Sequence, residues 1–202
     1  MNDEAINSTL ELVRGCAENL LSARNISRDT LLVASTLLDF KFRASVDGKK
    51  TARTWLVEHF AEHQLILIPV NIKDAHWVLC YLDNRAKRVT YGVYDPLGYP
   101  TQYEDVAERW RDLFMDVTES LCGEPVLSHI RGYQQNNGND CGICLLLNVV
   151  QLTKGLLDMA NSVNPLSVTL DSLWNGSNHL MPREFLDHIQ GDPTVGKLYQ
   201  RG

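Results

Sequence analysis

The spacing of apolar residues changes near residue 65, and this change restricts the fold more than any other feature of the chain. In the preceding part, apolar side chains recur at the helical period. From there onward they form short continuous runs typical of buried strands, at residues 65–70, 76–82 and 89–94. The sequence therefore predicts an α+β fold, with a helical N-terminal part followed by a central mixed β-sheet.

The remaining elements are predicted from the same periodicity and from helix-start and turn signals. Three helices are expected before the sheet. The first begins at Asp3, the second begins near Ser27 and contains the apolar stretch at residues 31–42, and the third covers residues 51–62. The later part of the chain predicts a helix at residues 103–115, a strand at residues 125–130 and a long apolar helix at residues 141–159.

Length and composition are those of one ordinary domain. With 202 residues and 44% hydrophobic content the chain can bury a single sizeable core, so we expect one domain over residues 1–202. We divide it into a helical part at residues 1–62, a core at residues 63–160 and a C-terminal extension at residues 161–202. No apolar run approaches the roughly 18 residues that a membrane span needs, so no membrane association is expected.

Charge and cysteine content exclude further classes. The formal net charge is -6 and no long basic stretch offsets it, so nucleic acid is not an expected partner. The five cysteines form an odd, scattered set, which fits a reducing compartment rather than a disulfide framework. The N-terminal segment is polar and acidic, unlike a signal peptide. We therefore expect a monomer that acts inside a cell, in the cytoplasm or nucleus.

Two of the strand-like runs, joined by the charged segment at residues 83–88, predict a β-hairpin. The midpoint between residues 76 and 95 falls in the middle of this connection. We therefore expect His76 directly opposite Asp95, with their Cβ atoms about 5 Å apart. Asp95 would then accept a hydrogen bond from one ring nitrogen and leave the other to act as a base. The alternative is a surface histidine at a strand end and a turn aspartate before Pro96.

Cys141 favours the catalytic interpretation of this pair. It lies where a Gly- and Asn-rich loop meets a helix, and the unpaired N–H groups and dipole at a helix N-terminus stabilise a thiolate. Gln135, in the same loop, could donate a side-chain hydrogen bond to an oxyanion, and Gly142 leaves room for substrate backbone. The alternative for Cys141 is a buried structural cysteine, which is the reading we prefer for Cys144.

Three competing motifs are weaker. Cys141 and Cys144 have the Cys-x-x-Cys spacing of thiol redox sites, but the chain lacks the rest of the thioredoxin pattern. A structural zinc site needs about four ligands, and no second pair follows. His59 and His63 match the short inverted zinc-protease pattern, but no helix with a third ligand follows. We therefore expect no metal and no cofactor.

Three segments together resemble a known family. They are His76-Trp77 opening a strand, Val93-Tyr94-Asp95 ending the next, and the run from Gln135 to Cys141-Gly142. Their order is that of the sentrin-specific and ubiquitin-like-protein-specific cysteine proteases, the clan that includes the adenovirus protease. The resemblance implies a papain-like core in permuted order, because in papain-type enzymes the cysteine precedes its histidine.

The resemblance also implies residue roles. Cys141 would be the nucleophile, His76 the general base and acid, Asp95 the residue that orients His76, and Gln135 an oxyanion donor. Trp77 would line the channel that takes the Gly-Gly tail of the modifier, although a core aromatic is an equal alternative.

The partner implied is ubiquitin, NEDD8 or SUMO, with residues 1–62 binding it. A Trp-Leu-Asn-Asp-like segment of the family is missing, and residues 54–57 are at best a remnant. The resemblance further implies that SUMO-type modifiers are more acidic than ubiquitin, so the negative net charge favours ubiquitin or NEDD8. Relatives include acetyltransferases with the same triad and bacterial effectors that act in host cells. An acetyltransferase and a non-catalytic modifier-binding module are therefore the alternatives to a protease.

Overall fold

The computed structural model describes residues 3–23, 31–60, 63, 65–73, 75–85, 88–118, 124–130, 132–135 and 138–159. The elements that precede the central strands are α1 (Asp3–Ala23), β1 (Leu31–Val33), α2 (Thr36–Ala44) and α3 (Val46–Phe60). The central strands are β2 (Leu65–Ile72), β3 (His76–Asp83) and β4 (Thr90–Tyr94). After a 3-10 turn (Pro100–Tyr103) come α4 (Glu104–Thr118), β5 (Val126–Leu127) and α5 (Cys141–Met159).

The strands form one five-stranded mixed sheet in the order β1-β2-β3-β4-β5. The neighbours in the centre are antiparallel, whereas β1 pairs parallel with β2 and β5 pairs parallel with β4. Helices cover both faces, so strand residues are buried on both sides and read as continuous apolar runs. The prediction of an α+β fold with a central mixed sheet is confirmed.

Alternate residues of β3 enter two separate cores. Leu79 and Tyr81 pack in the core that α1 and α5 cover. Val78 and Cys80 point to the other face and pack in the core that α2, α3 and α4 cover. The strand ends therefore lie between two helical layers, and side chains at the rim can meet groups from either layer.

The second predicted helix begins later than expected. Residues 31–33 form β1, and main-chain pairing to β2 continues at Ala34, whose N–H donates to the Leu67 carbonyl over 2.8 Å. The side chain of Ser35 then accepts a hydrogen bond from the Leu37 N–H, as an N-cap does. Strand pairing thus decides where α2 starts, which periodicity alone did not reveal. The expected start near Ser27 lies outside the described residues.

Other boundaries were closer. The helix expected at residues 51–62 begins five residues earlier, at Val46, and the strand expected at residues 125–130 is only Val126–Leu127. The helix at residues 141–159 has the predicted bounds.

The C-terminal extension lies outside the described residues. In the part of the chain that the structure covers, no helix combines the length and hydropathy that crossing a bilayer requires.

The register of the β3–β4 hairpin differs from the predicted one by two residues. Leu79 pairs with Tyr94, so continuing the ladder places Asp95 opposite Val78 rather than His76. The prediction that His76 and Asp95 stand directly opposite each other is therefore wrong. Because the shift is an even number of residues, the two side chains still leave the same face of the sheet, as diagonal neighbours.

One side-chain contact and one main-chain contact at the connection account for the shift. Asp83 stays in the ladder opposite Thr90, where its carboxylate accepts hydrogen bonds from the backbone N–H and the guanidinium of Arg85. Val89 lies outside the ladder, and its carbonyl accepts a hydrogen bond from the N–H of Val126 on the other side of β4. The connection therefore comprises residues 84–89 rather than 83–88.

Candidate active site

His76 and Asp95 form a hydrogen-bonded pair at one rim of the sheet. His76 is the first residue of β3, and Asp95 directly follows the last residue of β4. The Nε2 atom of His76 lies 2.6 Å from Oδ1 of Asp95, and the two side chains are 11% and 1% exposed. This contact leaves Nδ1 as the ring nitrogen that can serve another group.

A tight turn holds the Asp95 carboxylate. Oδ1 also accepts a hydrogen bond from the Leu97 N–H at 3.0 Å, and Oδ2 accepts one from the Tyr99 N–H at 2.8 Å. The Gly98 N–H donates to the Asp95 carbonyl, and Gly98 itself has φ +81°, a conformation that favours glycine. Burial opposes ionisation of the carboxyl group, but the hydrogen bonds from His76 and from these two N–H groups lower the pKa of Asp95 below its usual value.

Cys141 is the first residue of α5, and its thiol meets the imidazole of His76 through a side-chain hydrogen bond. The backbone N–H groups of Trp77 and Gly142 also donate to the sulfur. Burial disfavours the thiolate, but the hydrogen bond and charge of His76, together with these N–H groups, lower the pKa of Cys141. The sequence-predicted cysteine, histidine and aspartate are thus in contact in one chain of hydrogen bonds.

The pKa of the His76 imidazole is shifted upward, in the opposite direction to that of Cys141. Burial lowers the proton affinity of the ring, but the hydrogen bonds to Asp95 and Cys141 outweigh it and raise the pKa of His76 from 6.5 to about 9. A lowered thiol pKa beside a raised imidazole pKa favours a thiolate–imidazolium pair near neutral pH. This is the protonation state in which a cysteine acts as a nucleophile.

Gln135 lies in the loop that precedes α5, and its main chain connects this loop to the aspartate turn. Its N–H donates over 2.9 Å to the carbonyl of Pro96, the residue that directly follows Asp95. Its side chain is half-buried. The loop that would carry an oxyanion donor is thereby fixed to the same turn that holds the carboxylate.

Trp77 and Gly142, predicted to bind substrate, both lie beside the sulfur. The indole of Trp77 is 3% exposed and belongs to the core cluster that contains Cys141. Its side chain lies on one face of the sheet, and the side chain of His76 extends from the other face. In this structure Trp77 is therefore a core aromatic that also supplies a backbone N–H to the thiol. Its role in a substrate channel stays a prediction, as does that of Gly142.

Tyr103 is a site residue that sequence reasoning missed. Its ring lies 5.7 Å from the imidazole of His76, centroid to centroid, and it precedes α4 on the sheet face to which His76 points. Burial and the nearby charges of Asp95 and Cys141 raise the pKa of Tyr103. Nothing in its sequence position marks it, because its contact with His76 is created only when α4 packs against the sheet.

The competing motifs can now be placed. Cys144 is buried at 7% exposure, and burial together with nearby Asp140 and Cys141 raises the pKa of its thiol. Cys80, Cys141 and Cys144 are free cysteines. The rings of His59 and His63 lie 5.6 Å apart, centroid to centroid, and the His63 N–H donates to the His59 carbonyl. Among the described residues, no three His, Cys, Asp or Glu side chains are grouped so that they could hold a metal ion.

A buried thiol at a helix N-terminus, hydrogen-bonded to an imidazole that a carboxylate orients, is the arrangement found in cysteine peptidases. A family model described as "Ulp1 protease family, C-terminal catalytic domain" matches residues 1–162. The chain therefore belongs to the Ulp1 protease family and is a cysteine peptidase. A search of curated proteins found no relative that matches this sequence.

Solved structures share the fold at low sequence identity. The C-terminal Ulp1 protease domain in complex with SMT3, the yeast orthologue of SUMO, is 16% identical with a TM-score of 0.62, covering 98% of this chain and 77% of that chain. The Xanthomonas campestris effector XopD bound to ubiquitin is 18% identical with a TM-score of 0.62, covering 87% of this chain and 90% of that chain. The Chaetomium thermophilum Ulp1-like SUMO protease catalytic domain is 18% identical with a TM-score of 0.60, covering 86% and 68%.

Proposed function

We propose that this peptidase hydrolyses the bond that follows the C-terminal Gly-Gly of a ubiquitin-like modifier, using Cys141, His76 and Asp95. The observation that carries the proposal is the continuous contact from the Asp95 carboxylate through the imidazole to the Cys141 thiol. Each group has the pKa direction that its role needs: lowered for the carboxylate and the thiol, raised for the imidazole.

The reaction begins with attack of the Cys141 thiolate on the carbonyl carbon of the terminal glycine. The carbonyl oxygen becomes an oxyanion, which the Gln135 side chain and N–H groups at the start of α5 stabilise. As the tetrahedral intermediate collapses, the C–N bond breaks and the His76 imidazolium gives its Nδ1 proton to the leaving amine. Asp95 keeps its hydrogen bond to Nε2 throughout and holds the ring in position.

Hydrolysis of the thioester completes the cycle. Neutral His76 accepts a proton from a water molecule, which attacks the acyl carbon, and the thiolate of Cys141 leaves. The products are a modifier that ends in a free Gly-Gly carboxylate and an amine. The enzyme returns to its thiolate–imidazolium state without a metal or an organic cofactor taking part in the proposed steps.

The substrate class rests on the family and on two of its structural neighbours. One neighbour is a complex with SMT3, a SUMO orthologue, and another is bound to ubiquitin. We propose a modifier of this group as the partner, with the helical part at residues 1–62 contributing to its binding surface. In that part, Leu37 and Phe40 are exposed large apolar side chains one turn apart on α2. We place its action inside a cell, either its own or a host cell.

A panel of electrophilic probes tests the proposal. The probes are ubiquitin, NEDD8 and SUMO that each carry a C-terminal electrophile. At least one of them should label Cys141, and none should label the Cys141→Ala variant. Transfer of label from acetyl-CoA to Cys141, without any modifier labelling, would instead indicate the acetyltransferase chemistry of related enzymes. Binding of a modifier with neither kind of labelling would indicate a non-catalytic module.

A further inference from the structure

Tyr94, the residue before Asp95, connects three parts of the candidate site. Its side chain is 1% exposed and packs in the core beneath α5, on the sheet face opposite that of Asp95. Its hydroxyl donates a hydrogen bond to the Tyr133 carbonyl, and the Cys144 carbonyl lies 3.3 Å from the same oxygen. The hydroxyl therefore bridges β4, the first turn of α5 and the loop that carries Gln135.

The loop also rests on the ring of Tyr94. A Cβ atom added to Gly132 would lie 2.3 Å from Cε2 of that ring, so only glycine permits so close an approach. Burial raises the pKa of Tyr94, which keeps the hydroxyl protonated and able to donate across the working pH range. The contact is therefore both a packing surface and a permanent hydrogen bond.

The loop has a second attachment on the other side of Asp95, where the Gln135 N–H donates to the Pro96 carbonyl. Residues 94 and 96 thus hold residues 133 and 135, and the carboxylate at residue 95 lies between the two attachments. Both attachments act on the main chain of the loop. Loss of either attachment would loosen the main chain that carries the Gln135 side chain.

We propose that the hydroxyl of Tyr94 is a positioning group for the oxyanion donor: it fixes the loop at residues 132–135 so that the Gln135 side chain faces the carbonyl attacked by Cys141. This inference rests on the proposed function. An oxyanion donor lowers a barrier only when it is already oriented, because reorienting it during the reaction costs most of the benefit. In this proposal Tyr94 acts through Gln135 and not on the reacting atoms, so it is a positioning residue.

The chain offers a matched control. The hydroxyl of Tyr81, another residue at 1% exposure in the same core, donates to the main-chain carbonyl of Ser128, which lies before the loop. Tyr94→Phe and Tyr81→Phe therefore remove the same atom from equally buried rings. On a C-terminal fluorogenic modifier substrate, Tyr94→Phe should lower kcat about tenfold with KM within about twofold, whereas Tyr81→Phe should stay within about twofold of the parent enzyme.

Coupling to Gln135 separates positioning from a general loss of packing. In a Gln135→Ala background the oxyanion donor is already absent, so adding Tyr94→Phe should change kcat by less than about twofold. Alkylation of Cys141 by iodoacetamide, which forms no oxyanion, should be equally fast in Tyr94→Phe and the parent enzyme. Gly132→Ala, which keeps the hydroxyl but pushes the loop off the ring, should reproduce the kcat loss.

Hydrogen exchange tests the inference without requiring turnover. Tyr94→Phe should accelerate exchange of the Gln135 N–H by about tenfold or more, while Tyr81→Phe should leave it unchanged. The inference is wrong if the two phenylalanine variants exchange this amide equally, or if Tyr94→Phe lowers kcat by the same factor with and without Gln135. If none of the modifier probes labels the enzyme, yet Tyr94→Phe accelerates exchange of the Gln135 N–H as expected, the proposed function is refuted. The attachment of the loop by Tyr94 is then still supported.

Discussion

His76 and Asp95 are hydrogen-bonded at 2.6 Å although they are diagonal neighbours rather than opposite partners in the hairpin. The diagonal arrangement is possible because both residues lie at the rim, where the ladder has ended and the side chains can lean along the strand direction. His76 is the first residue of β3, so its imidazole lies at the rim of the sheet. From there it reaches the Cys141 thiol, which comes from the opposite helical layer.

Replacing the nucleophile should abolish turnover without disturbing the fold. Cys141→Ala removes one sulfur from a buried site and leaves the helix start intact, so we expect activity at or below about 10⁻³ of the parent enzyme. Modifier binding, measured by calorimetry, should be nearly unchanged. Residual activity within about tenfold of the parent would exclude Cys141 as the nucleophile.

The pH dependence should follow the thiolate–imidazolium pair. The pair exists above the lowered pKa of Cys141 and is lost as the pH rises through the pKa of His76, about 9, so kcat/KM should be maximal between these values. Asp95→Asn removes a charge that helps to hold the proton on His76, and the alkaline limb should therefore move to lower pH. A kcat/KM profile across pH 5–10 for both enzymes measures this shift, and an unmoved alkaline limb would contradict it.

Removal of the proposed oxyanion donor should affect the chemical step. Gln135→Ala should lower kcat by about 10²-fold with little change in KM, which is the scale for one lost oxyanion-hole donor. Steady-state kinetics on a fluorogenic modifier substrate measures both constants. If only KM rises, Gln135 binds substrate and does not stabilise the transition state.

Gly98 should be sensitive to substitution because the turn that holds Asp95 needs its positive φ. In Gly98→Ala the new Cβ would lie 2.8 Å from Nε2 of Gln134, and φ +81° is strained for alanine, so the variant should lose about 1–2 kcal/mol of stability. Gly15→Ala provides the opposite control, since Gly15 lies within α1 with nothing within 4 Å of the added Cβ. It should gain about 0.5–1 kcal/mol. Urea unfolding of both variants measures the difference, and equal destabilisation would contradict the role of the turn.

Modifier choice should reflect the negative net charge of the enzyme. At a formal charge of -6, encounter with an acidic modifier is disfavoured, so kcat/KM for ubiquitin or NEDD8 substrates should exceed that for SUMO at low salt. The basic connection of the hairpin does not offset this near the site. Arg85 is paired with Asp83 at 6% side-chain exposure, and Asp83, the last residue of β3, lies about 23 Å along the strand from His76.

The control for modifier choice is ionic strength. Raising the salt concentration screens long-range repulsion, so the preference for ubiquitin or NEDD8 over SUMO should narrow. Faster cleavage of the SUMO substrate at low salt, with rates that fall as salt rises, would show that a local basic surface outweighs the overall charge. The preference stated here would then be wrong.

Much of the fold follows from local patterns. The buried strands and α5 are visible in sequence because apolar runs and helix-start signals are properties of neighbouring residues. The start of α2 was mispredicted because it depends on pairing between residues 31–33 and β2, which are distant in sequence. Strand pairing of this kind overrides a local helical pattern, since main-chain hydrogen bonds and burial in the sheet outweigh intrinsic propensity.

The sequence by itself determined the chemistry available here: a cysteine at a helix start, a histidine and an aspartate at the ends of two paired strands, and a glutamine in the preceding loop. Only the tertiary structure decided how these groups meet. The contacts of Asp83 and Val89 set the hairpin register, and the packing of α5 brought the Cys141 thiol to the imidazole. The hydroxyl of Tyr94 joined the glutamine loop to the strand that ends at Asp95. Such contacts join residues that are far apart in sequence, so their energies appear only when the whole chain is packed.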